Sequence, residues 1–117
     1  MHLEFRHTEK LLSYPGGRVG AITSPYNPTP LGLHPIQIPD FPHPKGRHYR
    51  SMSPYAETRF FLGHGYASAG NDRYLHTGQV SAGCITVDPS AWTELYEYLI
   101  SCRSNDAKTI GTLRVLR

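Results

Sequence analysis

Nine of the ten prolines in this 117-residue chain lie between positions 15 and 54, and only Pro89 falls later. An internal proline costs a helix about 3 kcal/mol and removes a ladder donor from a central strand. The first half of the chain is therefore restricted to short strands, edges, turns and loops. With the 11 glycines, turn-forming residues are dense enough to exclude an all-helical protein. The length fits one domain with one modest core. Apolar residues make up 38% and charged residues 18%, which fits neither a disordered chain nor a coiled coil. No apolar run approaches the ~18 residues of a membrane span.

The turn signals divide the chain into short elements. Tyr14-Pro15-Gly16-Gly17 separates strands expected over about 2–7, 10–14 and 18–23. Residues 24–32 read as a Pro-rich loop, and 33–38 as another strand. Residues 39–56 hold four prolines together with Phe41, Tyr49 and Tyr55, and are expected to form an ordered excursion that walls a cleft. Residues 58–65, 73–76 and 84–87 read as strands, and 109–117 as a final one. Between the last two the period changes. Asp88 is a good N-cap, Pro89 suits the first helical position, and Ala91, Trp92, Leu95, Leu99 and Cys102 recur at helical spacing. A single helix over 89–103 follows. The class is mainly β with one helix.

The formal net charge is +3, carried by nine Arg and three Lys against nine acids. The arginines are scattered and form no basic stripe, so nucleic acid is not the expected partner. Arg suits planar capture of carboxylates, which makes an anionic substrate the better match. His34, His43 and His48, with Asp40 nearby, match no zinc spacing, and the reading calls for no metal and no cofactor. Two cysteines make no disulfide framework. Cys102 falls on the helical pattern as a small apolar residue. Cys84 stands in Ser81-Ala82-Gly83-Cys84, directly before the β-branched run Ile85-Thr86-Val87. A cysteine nucleophile needs a nearby base, a sharply turned position and backbone N–H groups for an oxyanion. Gly83 permits the turn. Seven residues separate His76 from Cys84 and nineteen separate His64 from it, each histidine at the end of an expected strand, and either imidazole is a candidate base.

The segment from His64 to Val87 resembles the signature of L,D-transpeptidase catalytic domains (YkuD-like): a His, a loop, then Ser/Thr-His-Gly-Cys and a short strand. Ser81, Gly83 and Cys84 match it. Thr29-Pro30-Leu31-Gly32 through Ile36 resembles the family's Thr-Pro-x-Gly-x-x-x-Ile segment, and the helix after Asp88 resembles the one that follows the family's Cys. The family's His before Gly-Cys is Ala82 here. Ser-x-Gly-Cys without that His is most similar to the small effector toxins of this family exported by type VI secretion. Their base is a His close before the motif, as His76 is, whereas His64-Gly65 fits the spacing of the larger enzymes.

The resemblance implies an L,D-transpeptidase-like β-sandwich over residues 1–117. It implies a Cys84 acyl-enzyme formed on peptidoglycan tetrapeptide stems, resolved by water (L,D-carboxypeptidase), a stem amine (L,D-transpeptidase) or a free D-amino acid (exchange). Ser81 would hold the His or the substrate. Arg73 first and Arg59 second are candidates for substrate carboxylates, with Tyr66 and Tyr74 packing beside the stem. Partners implied are stem peptides and, for an effector, an immunity protein and secretion machinery. The residues after Met1 form no signal-peptide apolar region. Action in the bacterial periplasm would then follow specialised export or excision from a longer protein. Two rivals fit some of the same residues: another envelope Cys amidase or endopeptidase, and a non-catalytic cell-wall-binding module. The papain-like type starts a helix at its Cys, whereas the residues after Cys84 are strand-like.

Overall fold

The structure is a computed structural model that describes residues 1–26, 28–39, 42–63, 73–79, 84–103 and 108–117. Among the described residues eight strands and one α-helix follow in chain order: β1 His2–Arg6, β2 Leu11–Tyr14, β3 Gly17–Ile22, β4 Gly32–Gln37, β5 Phe60–Gly63, β6 Arg73–Thr77, β7 Ile85–Val87, α1 Pro89–Ser101 and β8 Thr109–Leu116. A 3-10 turn, Pro44–Tyr49, interrupts the excursion between β4 and β5. The mainly β class with one helix is thus the observed one.

The strands run in the order β4-β8-β1-β2-β3-β7-β6-β5. β3 is the corner: residues 17–20 pair antiparallel with β2, and Ala21 and Ile22 pair antiparallel with Val87 and Thr86 of β7. One strand thereby serves two sheets, the device by which sandwiches turn a corner. The outermost strands, β4 and β5, lie against each other, so the sheet nearly closes. β4 carries Pro35, in keeping with the confinement of proline to edge strands.

Strict alternation sends Leu3 and Phe5 of β1 inward. In β8 the inward residues Ile110 and Leu113 are three apart, and a bulge makes this possible. Gly111 pairs with Ile36 and Thr109 with Gln37, so Ile110 is the extra residue that resets the phase. One core joins these side chains to Phe60, Leu62, Leu75, Ile85 and Val87, with Trp92, Leu95 and Leu99 of α1 lying within it. Each fully buried large apolar side chain stabilises by about 1.5–3 kcal/mol relative to exposure.

α1 starts where its caps require. Asp88 Oδ1 accepts from Ser90 N at 3.0 Å, Pro89 occupies the first turn, and Asp88 N donates to Gly20 O at 2.9 Å. The helix ends at Ser101, two residues earlier than its apolar spacing predicts. Cys102 has left helical geometry and its N–H folds back to Leu99 O at 3.0 Å.

The excursion is tied down along its length. His43 N donates to Glu57 O at 2.8 Å, and Arg47 and Arg50 clasp the Glu57 carboxylate at 2.8 and 3.1 Å. Trp92 Nε1 donates to Tyr55 O at 2.8 Å, Thr93 Oγ1 to Ser53 Oγ at 2.7 Å, and Tyr55 stacks on Tyr96 at 4.1 Å. Residues 42–56 are accordingly an ordered layer over α1 and the neighbouring strands. Asp40 and Phe41 lie outside the described residues.

Candidate active site

β6 and β7 are paired in parallel, with His76 opposite Thr86 and Leu75 opposite Ile85. Leu75, Ile85 and Val87 enter the core, so His76 and Thr86 share the opposite face. Cys84 immediately precedes β7, two residues before Thr86, and is half-buried. β6 carries His76 and Cys84 directly precedes β7, so the parallel pairing sets the imidazole beside the strand that follows the thiol.

The bonding of His76 defines its tautomer. Nδ1 lies 2.8 Å from Thr77 O, and because a carbonyl only accepts, Nδ1 carries the hydrogen. In the neutral ring Nε2 then holds a lone pair, which accepts from Thr86 Oγ1 at 3.3 Å. Burial pushes the His76 pKa down to about 4, and the charges of Arg59 and His43 push in the same direction, against the hydrogen bond to Thr77 O. The residue is 6% exposed. At pH 7 only about one such imidazole in a thousand is protonated, so Nε2 is a standing proton acceptor.

Arg59 directly precedes β5, which pairs antiparallel with β6, Phe60 with Leu75 and Phe61 with Tyr74, and its charge acts on His76. Arg73 is differently disposed. It lies on the Leu75 side of β6 by alternation and is only 6% exposed, and it is Arg59 whose charge lowers the His76 pKa. Tyr74 is on the His76 face, packed at 5.2 Å on Phe61 and at 5.0 Å, edge-on, against His43.

His43, Tyr49 and Thr86 belong to this neighbourhood although their spacing in the sequence gives no sign of it. His43 and Tyr49 come from the excursion; the Tyr49 ring reaches Gly78, beside His76 Cε1 and the Thr86 methyl. An aromatic-bearing, proline-stiffened excursion is the available signal that something covers the site. A cavity of about 340 Å³ opens against Thr86 and Gly78.

His64, Tyr66, Ser81 and Gly83 lie outside the described residues. Cys102 is half-buried at the end of α1, 3.9 Å from Ser101 Oγ, and neither cysteine is in a disulfide. The remaining histidines of the Pro-rich half are dispersed: His34 Nε2 bonds Pro30 O at 2.7 Å, and His48 is exposed on the 3-10 turn. Among the described residues no three His, Cys, Asp or Glu side chains gather as a metal site. No helix there is long and apolar enough to cross a membrane.

No protein-family model and no curated protein sequence matches the chain. Among solved structures, L,D-transpeptidase 1 of Mycobacterium tuberculosis superposes on 99% of this chain with a TM-score of 0.56 and 13% identity. The chain spans 58% of the length of that structure. What the two share at such low identity is architecture: the chain has the L,D-transpeptidase fold.

Proposed function

We propose that the chain is a peptidoglycan-modifying cysteine acyltransferase of the L,D-transpeptidase and L,D-carboxypeptidase type. Cys84 is its nucleophile and His76 its base. The observation that carries the reading is the parallel pairing of β6 with β7. It sets a neutral imidazole, with its Nε2 lone pair held ready, beside the strand that Cys84 directly precedes.

The imidazole bonding selects between two ways of activating a thiol. A preformed imidazolium–thiolate pair is opposed by burial and by Arg59 and His43. General-base catalysis follows: Nε2, exchanging its long bond to Thr86 for the thiol, takes the proton as sulfur attacks the carbonyl of the third stem residue. The C=O π electrons move to oxygen, and the amides of Gly83 and Cys84 are the natural donors to that oxyanion. Collapse breaks the C–N bond, and the imidazolium returns its proton to the departing amine of D-Ala. Water, a stem amine or a free D-amino acid then attacks the thioester, His76 again taking the proton, and the thiol leaves. Arg59 is the first candidate for a substrate carboxylate on this face, with Tyr74 beside the stem; Ser81 keeps its assigned role of holding the His or the substrate, and His64 remains the rival base.

The fold neighbour is an L,D-transpeptidase, which supports this class of chemistry. The effector reading, with periplasmic delivery by a secretion machine and a cognate immunity protein, is supported by Ala82 in the Ser-x-Gly-Cys motif and by the close spacing of His76.

The test is mass analysis of purified sacculi after incubation with the protein. Loss of the terminal D-Ala identifies a carboxypeptidase, links between third residues a transpeptidase, and a replaced terminal residue an exchange enzyme. Cys84→Ala abolishes the product, and His76→Ala matches that loss while His64→Ala does not. Unchanged stems with the wild type, or alkylation of Cys84 no faster than that of Cys102 near neutral pH, would overturn the reading.

A further inference from the structure

The strands β1, β2, β3, β4 and β8 keep one face toward solvent. Alternation sends Leu3, Phe5, Leu12, Val19, Leu113 and Val115 to the core, and the residues between them point outward. Register sets these outward residues in rows. One row crosses all five strands: Leu33, Arg114, Glu4, Ser13 and Arg18. Two residues along, Arg6 stands between Leu116 of β8 and Leu11 of β2. Three arginines far apart in the sequence are thereby gathered on one face.

A sheet face that meets only water carries polar residues at its outward positions. Here leucines alternate with arginines. Leu33 is 55% exposed, and Leu31, just before β4 at the same edge, is 51% exposed. They are two of the four large apolar side chains that stand so far out among the described residues, so apolar surface is concentrated at this edge. The charges are unbalanced as well. The Glu4 carboxylate lies 3.8 Å from Arg6 and 3.8 Å from His2, and it is the one acid in the rows. Arg18 and Arg114 are exposed and enter no ion pair among the described residues. Glu9 and Lys10, exposed in the adjoining β1–β2 turn, offset each other.

The two features together select the occupant. A nucleic acid would use the cations and leave the leucines without a contact. A protein partner would need carboxylates fixed to match Arg18 and Arg114, which stand three strand spacings apart, about 14 Å. An anionic bilayer meets both demands. Its headgroups diffuse to wherever a cation stands, and its acyl boundary takes the leucines, while arginine stems lie along the apolar surface with their guanidinium groups at phosphate depth.

We propose that this sheet face docks on the surface of an anionic phospholipid bilayer, with Leu31 and Leu33 entering the headgroup boundary and Arg6, Arg18 and Arg114 pairing with lipid phosphates. His76 and Cys84 belong to the strands beyond the β3 corner, so the docking face is separate from the candidate active site.

The test is flotation of the full chain with vesicles. Vesicles of equal parts phosphatidylcholine and phosphatidylglycerol are expected to carry the protein, and vesicles of phosphatidylcholine alone are not. Arg18→Gln and Arg114→Gln should each weaken binding about fivefold, and Leu33→Ser about as much. Unchanged thermal midpoints of these surface variants separate the losses from folding. Soluble glycerol phosphate at the same phosphate concentration should not displace the protein. Absence of vesicle binding, equal binding to both vesicles, displacement by glycerol phosphate, or binding indifferent to Leu33→Ser overturns the proposal. Retention on immobilised polyaspartate in place of vesicles would assign the face to an acidic protein and overturns it too. The acyl-transfer reading is judged separately: Cys84→Ala should bind vesicles as the wild type does, and Arg18→Gln should leave the products on sacculi unchanged.

Discussion

Acidification from pH 7 to pH 4 is expected to destabilise this protein through His76. In the unfolded chain the imidazole takes up its proton near pH 6.5, whereas in the folded protein burial, Arg59 and His43 hold it off until about pH 4. Between these values the unfolded state binds more protons than the folded one, so folding stability falls as the pH falls. Above about pH 6.5 both states are neutral and the full stability is present. The slope in the window is about 1.4 kcal/mol per pH unit, and two and a half units give about 3 kcal/mol. The side chain is almost fully buried, so bulk solvent does little to screen it. For a domain whose total stability is about 5–15 kcal/mol the change is large. Urea unfolding of the wild type and of His76→Gln at half-unit steps from pH 7.5 to 4 measures it. The variant should lose about 3 kcal/mol less than the wild type across that range, although it begins lower at pH 7. A titration of the His76 ring by NMR should give its midpoint near pH 4, and the acid limb of kcat/KM should fall there and not near 6.5. If His76→Gln loses the same stability on acidification, the neutral buried imidazole is not the group being titrated, and the general-base assignment loses its footing.

Two further outcomes test the layer over the site. A Cβ on Gly46 would collide with the backbone of Ala56, which no rotamer change relieves, so Gly46→Ala should cost about 2 kcal/mol or more in chemical denaturation. Trp92→Phe keeps most of the apolar volume but removes one of the two donors to Tyr55 O, leaving the Thr58 N–H. A loss of about 1–3 kcal/mol is expected, with faster amide exchange over residues 42–56 than in the wild type.

The local chemistry of the chain was expressed in its sequence almost residue by residue. Asp88-Pro89 starts the helix where capping requires, Tyr14-Pro15-Gly16-Gly17 marks the β2–β3 turn, and the alternation in β1 carries Leu3 and Phe5 inward. What spacing along the chain does not encode is which strands become neighbours. Arg73 stands three residues before His76 on the same strand, an odd interval that puts it on the opposite face, whereas Arg59, seventeen positions away, is the cation whose charge lowers the His76 pKa. His43 escaped for the same reason: it meets Tyr74 only because the excursion folds back over β6. Thr86 was read simply as a strand residue, since its bond to Nε2 depends on parallel pairing across a ten-residue interval.

The position of β8 has a kinetic consequence. It is the penultimate strand of the sheet, holding β4 on one side and β1 on the other, and it pairs His2 with Thr112 and Arg6 with Leu116. These contacts span more than a hundred residues of chain, and the entropy of closing so long a loop must be met before they reward it. By contrast β5, β6, β7 and α1 are contiguous in sequence, and β5, β6 and β7 pair in chain order. The wall that carries His76 can assemble from nearby segments, while β1 and β4 wait for β8 to arrive between them. In a refolding experiment, substitutions in the β6–β7 pair should then slow folding, whereas those at Leu113 and Val115 should chiefly speed unfolding.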